Sequence, residues 1–226
     1  MLASDLNVYS RTELAKLSGL SSPRVHRWLT GYQYKNCKGE ARNSAPLIRR
    51  ASDCADLSAS FADLIEVLLV RSFLKHGVSM PTLRKAAAVA KQLFKSPHPF
   101  SLKKFETDGK TVFAQLAADS SVRRPVVDLA QGQHAFGAVV RPYFKQLDYE
   151  DDIVARWWPL GRQHRVVVDP RRSFGQPIDA GTGVPTRVLY QAVLAGQSIE
   201  TVADWFEVPI SAVREAVQFE EQHLRG

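Results

Sequence analysis

Arg24, His26 and Arg27 lie in one short segment whose apolar residues are Val25, Trp28 and Leu29. Those three stand at i, i+3 and i+4, the spacing of one helical face. Turning that face inward leaves Arg24, His26 and Arg27 near the outer one. Arginine can bond O6 and N7 of guanine in the major groove, or clamp a phosphate. Ser21 and Ser22 open the segment, where free N–H groups and hydroxyls can hold a backbone phosphate. Arg11 and Thr12 begin the stretch before it. Tyr32, Tyr34, Lys35, Lys38 and Arg42 follow, basic residues interleaved with tyrosines, which suits contact with a sugar–phosphate backbone. The chemistry indicated is non-covalent DNA binding. A solvated basic face on a three-helix core is the alternative that the same residues allow.

Local signals supply elements to carry these side chains. Ser10-Arg-Thr-Glu13 is a capping box that starts a helix with Leu14 and Leu17 on its apolar face. Gly19 can provide the left-handed residue that ends it. Pro23 suits the first turn of the next helix. The stretch from Tyr32 to Arg42, with Gly39 at its turn, reads as a short hairpin, a wing leading to Ala45-Pro-Leu-Ile48. Tyr9–Ile48 is therefore expected to be a winged helix-turn-helix. Phe61, Leu64, Ile65, Leu68 and Leu69 mark a strongly apolar helix that Gly77 ends. Ser79 and Pro81 start another, with Leu83, Ala86, Ala87, Ala90, Leu93 and Phe94 on one side and Arg84, Lys85, Lys91 and Lys95 on the other. Asp108-Gly109 predicts a hairpin, Ser120–Leu129 linker plus strand, and Phe136–Leu147 a return to helical spacing with Pro142 inside it. Val166-Val-Val168 predicts a strand, free to pair with that of a second subunit. A long turn-rich loop follows, then helices over Thr186–Ala195, Ile199–Trp205 and Ser211–His223, the last capped by Ser211. Glu215, Glu220 and Glu221 on that last helix would repel phosphates, so this second helix-turn-helix suits folding, dimerisation or protein binding.

The chain has 226 residues and a formal net charge of +7, a basic balance that favours a nucleic-acid partner. Its two cysteines, Cys37 and Cys54, lack the CxxC spacing of zinc or redox sites. A cytoplasmic home is expected: the N-terminus lacks the charged and apolar regions of a signal peptide, and Phe61–Leu74 is too short to span a bilayer. The histidines His26, His76, His98, His134, His164 and His223 form no HExxH or other ligand spacing. Asp148, Glu150, Asp151 and Asp152 read as a solvated acidic loop rather than a metal site. Gly181-Thr-Gly183 lacks the lysine and spacing of a phosphate loop and reads as a structural turn. An enzyme is not expected, nor a metal or other cofactor.

Two resemblances sharpen the expectation. Ser10-Arg-Thr-Glu-Leu-Ala-Lys-Leu-Ser-Gly-Leu-Ser-Ser-Pro-Arg-Val-His-Arg-Trp28 resembles the opening of MerR-type winged-helix domains. There the recognition helix carries its DNA-contacting residues just before an aromatic, positions matched here by Arg24, His26 and Arg27 before Trp28. Val168-Asp-Pro170, Phe174-Gly-Gln-Pro-Ile-Asp-Ala-Gly-Thr-Gly-Val-Pro-Thr186 and Leu194-Ala-Gly-Gln-Ser-Ile-Glu-Thr-Val-Ala-Asp204 resemble a small helical family of once-unknown function found beside PIN-domain ribonucleases. Ala180 and Gly183 stand where that family often has arginines. Together the two are similar to the larger branch of VapB-type antitoxins. The resemblance implies a homodimeric autorepressor that binds operator DNA and neutralises a PIN-domain toxin, with Arg171, Arg172 or Arg225 as cations for the toxin. The alternative is a stand-alone winged-helix regulator whose C-terminal domain dimerises or senses a small ligand. The expected fold is mainly α. A winged helix-turn-helix domain with supporting helices covers residues 1–118, a connecting region 119–158, and a small helical domain with a leading strand 159–226.

Overall fold

The computed structural model describes residues 7–35, 37–48, 58–118, 137 and 140–224. It is mainly α, with three small antiparallel sheets. Cys54, His134, Ser120–Leu129, Phe136, Val139 and Arg225 lie outside the described residues.

Ser10 caps α1 (Arg11–Ser18) through the expected capping box: its hydroxyl accepts the Glu13 N–H, and the Glu13 carboxylate accepts the Ser10 N–H at 2.8 Å. Gly19 ends α1 in the left-handed region, at φ 57° and ψ 37°. α2 (Ser22–Thr30) follows at once and buries Val25, Trp28 and Leu29. A free-standing hairpin, β2 (Tyr32–Lys35) with β3 (Ala41–Ser44), comes next, its strands exposed on both faces except for half-buried Ser44. β1 (Asn7–Tyr9) pairs antiparallel with β4 (Ala59–Ser60) beneath this unit.

α3 (Phe61–Lys75) is the central post of the fold. Phe61, Leu64, Ile65, Val67, Leu69, Val70 and Phe73 are all fully buried. A helix apolar on nearly every side must be wrapped by others, and each such side chain contributes about 1.5–3 kcal/mol on burial. Its polar residues are spent locally. Asp63 completes a second capping box with Ser60, and Glu66 accepts the Phe100 N–H at 3.0 Å. Burial pushes the Glu66 carboxyl up to about 8, against the Phe100 hydrogen bond and Lys91. His98 lies 3.6 Å from Asp63 and 3.9 Å from Glu66.

α4 (Met80–Phe94) packs Leu83, Ala86, Ala87, Ala90 and Phe94 inward, as its spacing predicts, but Leu93, expected on the same face, is exposed. The segment at Asp108-Gly109 differs from expectation. It is not a hairpin but part of α5 (Lys104–Ala118). Phe105, Gly109 and Val112 form a buried stripe at i, i+4 and i+7, so helical packing overrides the turn preference of the dipeptide.

The C-terminal region begins with a sheet in the order β5 (Leu147–Glu150), β6 (Ile153–Trp157), β7 (Val166–Val168), β8 (Pro177–Asp179). Its strands lie on both sides of residue 159. Asp151 and Asp152, read as a loose acidic patch, are the tight turn of β5–β6, with φ of 48° and 68°. The valine strand β7 sits between β6 and β8. Both its edges are occupied, so it cannot pair with a second subunit. β8 also gives order to the segment expected as loop throughout. Three helices follow: α6 (Thr186–Leu194), α7 (Ile199–Trp205) and α8 (Ile210–Leu224). Ser211 is the second residue of α8 and not its cap. Glu215 and Glu220 are not surface repellents either: Glu215 accepts the Arg165 N–H and lies 3.3 Å from His164, and Glu220 is 2% exposed.

A small cluster of Leu189, Val202, Ala203, Val208, Ala212, Val213 and Ala216 holds α6–α8 together. Two polar contacts fasten the C-terminal region to α1 and β1: Lys16 Nζ reaches Glu220 at 2.7 Å, and the Tyr9 hydroxyl donates to the Gly175 carbonyl at 2.9 Å. Within the unit the Thr186 hydroxyl donates to the Glu220 carboxylate at 2.7 Å.

Candidate nucleic-acid interface

α2 turns its apolar residues into the core, and this orientation exposes Arg24 and Arg27. Ser21 is exposed at the helix start and makes no side-chain cap bond, which leaves its hydroxyl available; Pro23 has no N–H, and that of Arg24 donates to the Ser21 carbonyl at 2.9 Å. Ser22 is half-buried. Arg11 and Thr12 are exposed at the start of α1. His26 departs from this pattern. It is half-buried, and its Nδ1 is enclosed without a hydrogen-bond partner, so the ring leans into the protein while the two arginines face outward.

The hairpin is set against α2 by one glycine. Gly31 closes α2 by donating to the Arg27 carbonyl and leaves at φ 77° and ψ −174°, a combination reserved for glycine. A Cβ there would overlap the Ser44 carbonyl oxygen and lie 3.1 Å from Pro46 N. The Trp28 carbonyl accepts the Leu47 N–H at 2.9 Å and the Ile48 N–H at 3.2 Å, which returns the chain beneath α2. Arg84 of α4 donates to the Ala45 carbonyl. The hairpin is thereby anchored at both feet.

This junction brings Arg27 over the Tyr32 ring, 5.9 Å from its centroid, and Tyr32 lies 5.9 Å from Tyr34. Lys35 and Lys38 are exposed toward the hairpin tip. Arg42 pairs with Glu40 at 3.2 Å, so part of its charge is already answered. Arg24 has no ion-pair partner among the described residues. α2 and the hairpin thus present an exposed basic and aromatic surface built on a buried apolar base.

The cations expected for a protein partner are placed otherwise. Arg171 bonds Asp169 at 3.1 Å and Glu150 at 2.9 Å, which ties the segment after β7 to β5. Burial works against ionised Asp169, but Arg171 and Arg156 outweigh it and hold the carboxyl below its usual range. Arg172 donates to the Ala180 carbonyl. The Gly181-Thr-Gly183 turn is structural, since Asp179 accepts the N–H and hydroxyl of Thr182 and pairs with Arg165. Among the described residues no group of three or more His, Cys, Asp or Glu could hold a metal, and no helix is long and apolar enough to cross a membrane.

A second surface had no sequence signal. Tyr9, Glu13, Lys16, Leu17, Phe174, Gly175, Gln176, Pro177, Arg187, Phe219, Glu220 and His223 line a small open cleft of about 80 Å³ between α1 and the C-terminal unit. Its parts come from positions up to 214 residues apart, and only folding brings them together. Burial pushes the His223 imidazole below its usual value, and its Nδ1 lies 2.8 Å from the Phe219 carbonyl.

Residues 166–219 match the family described as "Protein of unknown function (DUF433)", a span from β7 into α8. Over nearly its whole length the chain is similar to a Mycobacterium tuberculosis (strain ATCC 25618 / H37Rv) protein named as a candidate antitoxin, VapB45. The identity is 27%, covering 94% of this chain and 93% of that one. The crystal structure of Rv2018 from Mycobacterium tuberculosis shares the fold, with a TM-score of 0.72 at 20% identity, over 96% of this chain and 100% of that chain.

Proposed function

We propose that this chain is the antitoxin of a type II toxin–antitoxin pair, with its DNA-binding surface on α2 and the β2–β3 hairpin. The observation that carries the proposal is the full-length similarity to a candidate antitoxin, which spans both the basic N-terminal surface and the C-terminal family region. In this proposal Tyr9–Ile48 is a winged helix-turn-helix of MerR-like type: α1 supports, α2 enters the major groove, and the hairpin is the wing. Arg24 and Arg27 contact bases or phosphates, with Arg11, Thr12, Ser21, Ser22, Tyr32, Lys35, Lys38 and Arg42 along the backbone. His26 contributes least, because its Nδ1 is turned inward. The chain acts as a homodimer on a two-fold operator, with residues 1–118 on DNA. Residues 159–226 hold a PIN-domain ribonuclease and block it.

The test has two arms. The chain is coexpressed with the protein encoded next to it, and the pair is purified through a tag on one member. A stable complex that suppresses ribonuclease activity is the expected result. Absence of a complex at micromolar concentration overturns the antitoxin assignment. Gel shift on the promoter of the same operon tests the DNA surface separately.

A further inference from the structure

We infer that the two exposed arginines of α2 divide the work on DNA: Arg27, held in place by the Tyr32 ring, clamps a phosphate between α2 and the hairpin, while Arg24 reads a base. This inference rests on the proposed DNA-binding role and assigns separate tasks within that surface.

The two side chains are held differently. Arg27 Nε donates to the Pro23 carbonyl one turn back at 3.3 Å, and its guanidinium lies over the Tyr32 ring, 5.9 Å from the centroid. The negative face of the ring attracts the cation. With Nε engaged, Nη1 and Nη2 remain as a parallel pair, which matches two oxygens of one phosphate. Arg24 has neither restraint among the described residues.

Tyr32 is itself fixed by the junction. It directly follows Gly31, whose backbone packs against Ser44, and it stands opposite Ser44 at the foot of the hairpin. Its ring remains 41% exposed, with Tyr34 beside it. The backbone at Gly31 sets where the ring stands, and the ring sets where Arg27 points. Tyr32 is thus a positioning residue. Ordering Arg27 before DNA arrives spares the entropy of immobilising a long side chain on binding.

Place in the helix separates the targets. Arg24 is in the first turn of α2, the end of a recognition helix that meets base edges. Its fork suits O6 and N7 of guanine. Arg27 lies one turn further on and is drawn toward the hairpin. A helix in the major groove and a hairpin beside it straddle one sugar–phosphate strand, so a cation at their junction faces phosphate. Such a contact sets register and carries no sequence information.

The full chain and its variants are titrated by fluorescence anisotropy, at low salt, with promoter fragments of its own operon in which each base pair is replaced in turn. Arg24→Gln should lose a guanine preference of roughly tenfold at one base pair of each half-site and keep discrimination elsewhere. Tyr32→Leu should weaken binding about two- to tenfold, equally on every fragment, the worth of ordering one long side chain. Arg27→Lys, which keeps the charge but not the fork, should do the same. The double variant should be no weaker than the weaker single one, since Tyr32 acts through Arg27. Tyr32→Phe, which keeps the ring face, should bind like the unaltered chain. A base preference altered by Arg27→Lys or Tyr32→Leu overturns the division of work. So does an Arg24→Gln variant that keeps every preference. Additive losses in the double variant overturn the positioning role. An unaltered chain that binds none of the fragments overturns the DNA-binding reading itself, an outcome visible before any variant is made.

Discussion

Replacing Gly31 by alanine should uncouple the hairpin from α2. At φ 77° and ψ −174° an alanine sits in a region that only glycine occupies comfortably, at a cost of about 1–3 kcal/mol. The added methyl also meets backbone rather than a movable side chain: the Ser44 carbonyl oxygen, Pro46 N at 3.1 Å and Ala45 C at 3.2 Å. Forcing an extra carbon into such a contact costs a further ~1–3 kcal/mol. The sum, about 2–6 kcal/mol, is a large share of the 5–15 kcal/mol typical of a folded domain. Gly39 is the internal control. It too has positive φ, 79°, but a Cβ there meets nothing within 4 Å, so Gly39→Ala should cost only about 1 kcal/mol. Urea unfolding of both variants, followed by far-ultraviolet circular dichroism, reads the difference. If Gly31→Ala unfolds within about 1 kcal/mol of Gly39→Ala, the close approach of the β3 foot to α2 is not what fixes the hairpin.

Arg24→Ala and Arg27→Ala should each abolish gel-shift binding to the operator with little loss of stability, and unchanged affinity in both would remove α2 from the interface. A variant that neutralises one phosphate fewer should flatten the plot of log K against log salt by about 0.9. Glu66 keeps its proton in the folded chain up to about 8, whereas the unfolded chain releases it near 4.5. Its contribution is thus full below 4.5 and is lost as pH rises through 8. Glu66→Gln should accordingly stabilise the protein more at pH 8.5 than at pH 5 in thermal melts, and an equal effect at both would refute the assignment. Phe174→Gly should raise stability by roughly 1 kcal/mol, since it relieves a left-handed phenylalanine that is almost wholly exposed. A fall in melting temperature would show that Phe174 packs in solution.

The parts of the fold legible in the sequence are those specified by neighbours along the chain. Ser10 and Glu13 lie three residues apart, and Val25, Trp28 and Leu29 within a single turn, so cap and face could be read directly. The hairpin from Tyr32 was legible through Gly39. Asp108-Gly109 misled because a strong local turn signal coincided with a weaker stripe, Phe105, Gly109 and Val112, whose value depends on what lies opposite. β7 misled for a related reason. Three valines announce a strand but do not say which edges are filled, and both of its partners are short strands that composition does not advertise. The cleft was invisible because Glu13, Lys16, Phe174, Arg187 and Glu220 carry no common spacing. Arg171 looked like a free cation until Asp169 and Glu150 were seen to surround it.

The bridge from Lys16 to Glu220 spans 204 residues of sequence, and that from Tyr9 to Gly175 spans 166. Synthesis at about 5–20 residues per second separates the emergence of Lys16 from that of Glu220 by roughly 10–40 s. Through that interval α1 and α2 can form on local signals, but the carboxylate that secures Lys16 does not yet exist. Contacts of such long range also slow the final step of folding, because a large loop must close before they form. The N-terminal unit is therefore the first part of the molecule to be made and among the last to gain all of its ties, and a ribosome that stops short of α8 releases a chain that lacks the Lys16–Glu220 bridge.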